Sequence, residues 1–327
     1  MTKDNLSSQQ EVSQKVQVNK QKSGIIGDLF GGTASMLVAL PSAIAFGLII
    51  YAPLGPEFSG QAALGGIIGT IMLGLVAPFV GGTRRLVTAP CAPAAAVLSV
   101  FVGEMVSKGS VEIQLIPIYI TLVALLAGVF QLIAGLAGGG RFIKYIPYPV
   151  VAGYLSGVGI LIFIGQLPKF LGVPAKTSFW DALTTVSVWN YDSIIIGAVT
   201  ILTMLFISKI IKTIPAAILS LITGIGCYFV LSIFNENLLT LDGNSMVIGK
   251  ISASVSDVTA LIGNHLGLFT QIDFSKLSEV IVPVFTLGVL LSIDTLKTCV
   301  VLDALTFSRH NSNKEIIGQG VANISAS

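Results

Sequence analysis

The chain has 327 residues, 53% hydrophobic and only 10% charged, with a formal net charge of +2 and a mean hydropathy of +0.88. Soluble proteins carry about 25% charged residues, so the composition is that of an integral membrane protein, and the small net charge gives nucleic-acid binding no support. Cys91, Cys227 and Cys299 lie far apart, and the two histidines, His265 and His310, sit in polar surroundings and read most simply as surface residues, so no disulfide framework, zinc site or haem is indicated.

Taken in order, residues 1–23 are polar and rich in Gln, Ser and Lys, which predicts a disordered cytoplasmic tail and no signal peptide. A first span runs from Ile25 to Ile50, with Pro41 well inside its apolar part, and a second from Gly60 to Phe79. Then comes Val80 to Val97, VGGTRRLVTAPCAPAAAV, which places glycines, arginines and prolines beside apolar helical sequence. Irregular chain at membrane depth survives only inside protein or along a watery cavity, because an unpaired backbone group in hydrocarbon costs several kcal/mol. Pro90 and Pro93 lack N–H donors and disfavour helix just before themselves, while Pro93 suits a first helical turn. The stretch reads as an extended arm followed by a half-helix whose N-terminus offers free amides to an anion, or else as a merely kinked span.

Further spans are predicted over Ile113 to Leu136, Tyr148 to Leu167, Ser193 to Ile211, Pro215 to Phe234 and Leu277 to Val301, with a polar extracytoplasmic loop from Asn235 to Lys276. Asn313 to Ser327 reads as the opening of a ninth segment that is cut short. The pattern divides the chain into the tail 1–23, a first repeat 24–234, the loop 235–276 and an incomplete second repeat 277–327. With the tail inside, twelve of the 18 Lys and Arg fall on the cytoplasmic side and five opposite, with Lys297 within a span, in keeping with the positive-inside rule. That orientation places Arg84 and Arg85 near the inner face. Small residues four apart, Gly65 with Gly69 and Gly135 with Gly139, predict close helix packing.

The eighth span holds Asp294 and Lys297 within an apolar run. Intramembrane charges mark ion or substrate pathways by default, and a spacing of three puts this pair on one helix face. The two either neutralise each other, or Asp294, with the hydroxyls of Ser292, Thr295 and Thr298 near it, holds a small hard cation. Asp303 is expected at the inner interface. No nucleophile with a base and no pair of buried acids is evident, so a membrane enzyme is not expected.

GDLFGGTASMLVALPSAIAFG, VGGTRRLVTAPCAP, LLSIDTLKTCVVLDALT and RHNSNKEIIGQGVAN together resemble, in order and spacing, the SulP family of anion transporters, which includes sulfate permeases and bicarbonate transporters. The resemblance implies an all-α polytopic membrane protein with seven-plus-seven inverted repeats, discontinuous half-helices, a core domain sliding against a gate domain, and a STAS domain. About the first nine spans are present here. It implies secondary active, cation-coupled transport of sulfate or bicarbonate by alternating access, in a homodimer, in the plasma or inner membrane with a cytoplasmic N-terminus. The anion is then expected before the half-helix, at Pro90, Cys91, Ala92 and Ala94, with Ser42 and Phe46 of a broken first span lining the pocket. Asp294 and Thr298 match a sodium site. Cys91, where bicarbonate members carry a hydroxyl, and Lys297, beside the sodium position, depart from the pattern. Alternatives are a nucleobase carrier of similar architecture and a fragment that does not transport alone.

Overall fold

The computed structural model describes residues 25–83, 86–109, 111–145, 148–173, 177, 179–211, 214, 216–240, 244, 246, 247, 263 and 276–327. The predicted tail, Arg84, Arg85, His265 and most of the 235–276 loop lie outside these residues. The described elements are α1 (Ile25–Tyr51), α2 (Ser59–Val80), α3 (Ala92–Lys108), α4 (Ile116–Leu136), α5 (Tyr148–Phe170), α6 (Phe179–Thr184), α7 (Tyr191–Ile210), α8 (Ala216–Ser232), α9 (Leu277–Thr306) and α10 (Ser312–Ala326). Short 3-10 turns join several of them, and no strand occurs among the described residues.

By contacts the chain divides into residues 1–37 and 38–327. The first unit, described from Ile25, holds the leading turns of α1, where Thr33 and Ser35 donate their hydroxyl protons to the carbonyls of Leu29 and Gly31 four residues back. All packing considered below belongs to the second unit.

The helices follow from long apolar runs with local stop signals. Asn190 caps α7 by accepting from the amides of Asp192 and Ser193, Asn311 caps α10 through Lys314, and Gly109 ends α3 in a left-handed conformation with φ 59°. Among the described residues, four stretches are by themselves long and apolar enough to cross a bilayer: Gly27–Leu54, Pro56–Val80, Ile113–Leu136 and Leu277–Thr306. Exposed Leu75 and Phe79 on α2, Leu205 and Phe206 on α7 and Val282 and Phe285 on α9 are the side chains such a bilayer would cover. The predicted break of the first span is not there, since α1 runs unbroken through Pro41. A proline removes one intrahelical donor, and a membrane helix tolerates that loss, as α2, α5 and α9 also do at Pro78, Pro168 and Pro283. The short α6 was not foreseen, because six residues leave too little periodicity to read.

Two packing groups emerge. In one, α10 lies against α2 and α4, and α9 lies against α3 and α4; in the other, α7 packs on α8 and α5 reaches α6 and α7; α3 touches α5 between them. Where α3, α4 and α9 meet, Phe101, Val102, Met105, Tyr119, Val123, Val280 and Leu287 form the main core. Glycine sets how closely the helices approach. A methyl group on Gly320 would stand 2.6 Å from the Leu132 amide nitrogen and 2.8 Å from the Gly128 carbonyl oxygen, and one on Gly318 would stand 2.5 Å from the Gly81 Cα. The sequence GQG thus lets α10 wedge between α2 and α4. Gly135 also packs closely, against Ile317, as its spacing suggests. Gly65 and Gly69 do not, having open space beyond their Cα atoms, and Gly66 makes the close approach to α1 at Ala43 instead.

His310 is not a surface residue: its side chain is 7% exposed, its Nδ1 lies 2.7 Å from Asp303 Oδ2 and its Nε2 lies 3.0 Å from the Ser312 hydroxyl. Asp303 also accepts from the His310 amide and the Ser308 hydroxyl, so the carboxylate expected at an interface ties off the α9–α10 turn.

Gly320→Ala should lower the apparent melting temperature of the detergent-purified protein, because the added methyl meets backbone on α4 and overpacking of this kind costs about 1–3 kcal/mol. Gly69→Ala, with nothing within 4 Å, should leave stability unchanged or raise it slightly.

Candidate functional site

From Gly81 to Cys91 the chain is extended or bent over its described residues, and Cys91 (φ −121°, ψ 150°) hands it to α3, whose second residue is Pro93. The predicted arm and half-helix are therefore present, and the kinked-span reading is excluded. With 17 residues, α3 is about 26 Å long. Its amide end carries the positive pole of the helix dipole.

An arm of this kind needs partners for its backbone, and α10 supplies them. Glu315, 2% exposed, accepts from the amides of Gly82 at 2.7 Å and Thr83 at 3.0 Å through Oε2, and from the Gln319 side chain at 3.0 Å through Oε1. The Gly82 carbonyl accepts from the Asn311 amide, and Gln319 also donates to the Thr88 hydroxyl at 2.7 Å. One helical turn further on, Asn323 donates to Oε1 of Gln131, a fully buried residue of α4 whose Nε2 donates to Ser292 on α9. Glu315, Gln319 and Asn323 are four residues apart, so they form one polar stripe along α10.

The arm, α1, α2, α3, α4, α9 and α10 line a half-open cavity of about 280 Å³. Of the predicted residues, Phe46, Pro90, Cys91, Ala94, Asp294 and Thr298 line it together. Ser42 does not; its hydroxyl donates to the Val38 carbonyl of its own helix. Ala92 is also outside the lining, because residues two apart on a helix point to nearly opposite sides and Ala94 takes the inward one. Thr88, Thr295, Gln319 and Asn323 complete the polar part of the wall.

Asp294 is the meeting point. Its Oδ1 accepts from Lys297 Nζ at 2.8 Å, and the Cys91 thiol sits beside the same carboxylate. The Asp294 side chain is 26% exposed and that of Lys297 only 8%, so the carboxylate stands in front and the ammonium behind. Of the three hydroxyls expected around Asp294, Thr295 and Thr298 face the cavity, with Thr298 donating to the Asp294 carbonyl at 2.9 Å. Ser292 faces Gln131 instead.

A sodium ion is the cation these oxygens would suit. Oxygen ligands of the right kind are present, but the carboxylate that would carry the negative charge already holds an ammonium group. A second cation about 4 Å from that ammonium is repelled by about 4 kcal/mol at an effective dielectric of about 20, which offsets more than half of its attraction to the carboxylate and leaves little to cover the loss of its water. The residues do not fit sodium while Lys297 holds Asp294, and the cation expected at Asp294 and Thr298 is met here by a side chain.

Glu315, Gln319, Asn323 and Gln131 were given no role from the sequence. The recurrence of Glu315, Gln319 and Asn323 at every fourth position is visible in the sequence, but nothing local ties that stripe to the arm or to Gln131.

Comparison with known proteins gives a consistent assignment. The family model described as "Sulfate permease family" matches residues 25–327. The bicarbonate transporter BicA of Picosynechococcus sp. is 31% identical over 308 residues, covering 92% of this chain and 50% of the relative. BicA of Synechocystis sp. is 32% identical over 307 residues, covering 91% and 49%. The chain thus spans about half the length of the curated relatives it matches. Among solved structures, the transmembrane domain of a cyanobacterial bicarbonate transporter BicA superposes with a TM-score of 0.70 at 28% identity, covering 94% of this chain and 72% of that one.

Glu315→Ala strands two arm amides and should be strongly destabilising, at about 1–3 kcal/mol for each buried group left unpaired. Glu315→Gln keeps a carbonyl oxygen for the arm and should cost less. Apparent melting temperatures in detergent rank the two, and equal losses would show that the arm amides do not depend on residue 315.

Proposed function

This chain belongs to the sulfate permease family, and from that premise we propose that it carries the anion-binding part of a secondary transporter that moves bicarbonate or sulfate by alternating access. It is a multi-pass membrane protein. The observation that carries the reading is the shared cavity wall: Pro90, Cys91 and Ala94 at the head of α3 line one cavity of about 280 Å³ together with Asp294 and Thr298 of α9. An anion at the head of α3 gains from the amide end of the helix. It would be repelled by Asp294 alone, and Lys297 cancels that charge at 2.8 Å.

The close packing among α2, α3, α4, α9 and α10, joined to the group of α5, α7 and α8 only through a small contact of α3 with α5 among the stronger ones, supports a core that moves against a gate. The bias of Lys and Arg supports a cytoplasmic N-terminus in the plasma or inner membrane. A homodimer is the assembly we propose for the whole transporter.

Cells expressing the gene that encodes this chain, in a host without its own bicarbonate or sulfate uptake, should accumulate one of the two labelled anions above vector controls. With Cys227 and Cys299 replaced by serine or alanine, a small thiol reagent should block that uptake through Cys91. The transported anion at about ten times its dissociation constant should slow the modification about tenfold, in proportion to the free fraction of sites. Uptake that persists after complete Cys91 modification would place the anion elsewhere.

A further inference from the structure

We propose that Lys297 is a built-in counter-cation that supplies, from behind the Asp294 carboxylate, the positive charge a co-transported sodium ion would bring, so that anion movement through this site neither requires nor responds to sodium. The proposal rests on the transport reading above and adds to it the identity of the positive charge. Asp294, Thr295 and Thr298 present oxygens to the cavity, which by itself is suitable company for a small hard cation. Yet the Asp294 carboxylate is bonded to Lys297 at 2.8 Å, and the lysine side chain lies behind it with 8% exposure. Both residues stand on α9, three positions apart within one unbroken helix of 30 residues. A rigid-body movement of α9 therefore carries the pair along intact.

The charge states of the carrier follow from this. With Lys297 in place, the empty site is neutral and the loaded site bears only the charge of the anion. Without it, the empty site would bear a buried negative charge, which a low-dielectric setting penalises until a cation from solution joins it. A fixed ammonium removes the need for that cation, and through repulsion it also removes the affinity. The coupling that the oxygen ligands would otherwise provide is replaced by a covalent part of the chain.

The test compares sodium with choline at constant chloride. Purified protein in lipid nanodiscs should melt at the same temperature in both salts, and radioactive sodium should show no saturable binding. Lys297→Leu should acquire a sodium-dependent rise in melting temperature that is absent in choline, and Lys297→Leu combined with Asp294→Asn should lose it again. Anion uptake by cells expressing the gene should differ less than twofold between the salts, whereas Lys297→Leu should be about tenfold slower in choline than in sodium, the response of a site whose cation comes from solution. Saturable sodium binding to the unmutated protein, sodium-stimulated uptake, or a folded Lys297→Leu protein indifferent to sodium would each overturn the proposal. If Lys297→Leu fails to fold in either salt, the sodium-binding measurement on the unmutated protein still decides. Absence of any anion uptake would count against the transport reading, while the melting and sodium-binding arms would still judge Lys297.

Discussion

A backbone that leaves its helix inside a membrane protein must have every exposed amide and carbonyl answered by the protein itself. In this molecule the answer comes chiefly from one carboxyl group. Glu315 takes two amides of the arm on one oxygen and the Gln319 side chain on the other, at 2.7 to 3.0 Å. The head of α3 is placed by that arm, the cavity is bounded by it, and Cys91 reaches Asp294 because of it. The glycines serve the same end. Gly81 and Gly82 lie so close to α10 that a Cβ on Gly82 would collide with the Asn311 carbonyl, and Gly318 meets Gly81 from the other side. Carboxyl and glycines are one device: the small residues allow the approach and the acid satisfies what the approach buries.

Local rules made part of this readable in advance. Pro90 and Pro93 announce a break and a restart because proline constrains its own φ and the residue before it, and those constraints act within a few bonds. The pairing of Asp294 with Lys297 was legible for the same reason, since three residues along a helix fix the geometry. Glu315 was not, because its role depends on Gly82, 233 positions away, and no local rule links them. Pro41 misled in the opposite sense. The same residue type that breaks the chain at 90 is absorbed within α1, since one lost hydrogen bond inside a continuous helix is a smaller disturbance than two prolines three residues apart beside glycine-rich sequence.

The electrostatics of the cavity are those of a nearly neutral place with a directional bias. Asp294 and Lys297 cancel, Thr295, Thr298, Gln319 and Asn323 offer dipoles, and α3 contributes the positive pole of its amide end. Such a site attracts an anion without storing a net charge of its own. The polar stripe of α10 has a share in this. Gln319 and Asn323 line the cavity while bonding to Thr88, on the same wall, and to the buried Gln131, so both side-chain amides are held in place.

The separation between Gly82 and Glu315 also has a meaning in time. At about 5–20 residues per second, a ribosome that has just finished the arm needs on the order of 10 to 50 seconds to reach the acid that will satisfy it. Throughout that interval α2 and α3 are already made, and the amides between them have no partner from α10. The nascent chain must keep that loop in water, or shielded by the insertion machinery, until α10 arrives to slide between α2 and α4. The cavity can therefore be completed only after α10 has been made, and the helix that closes it is itself too polar to have been the first to enter the bilayer.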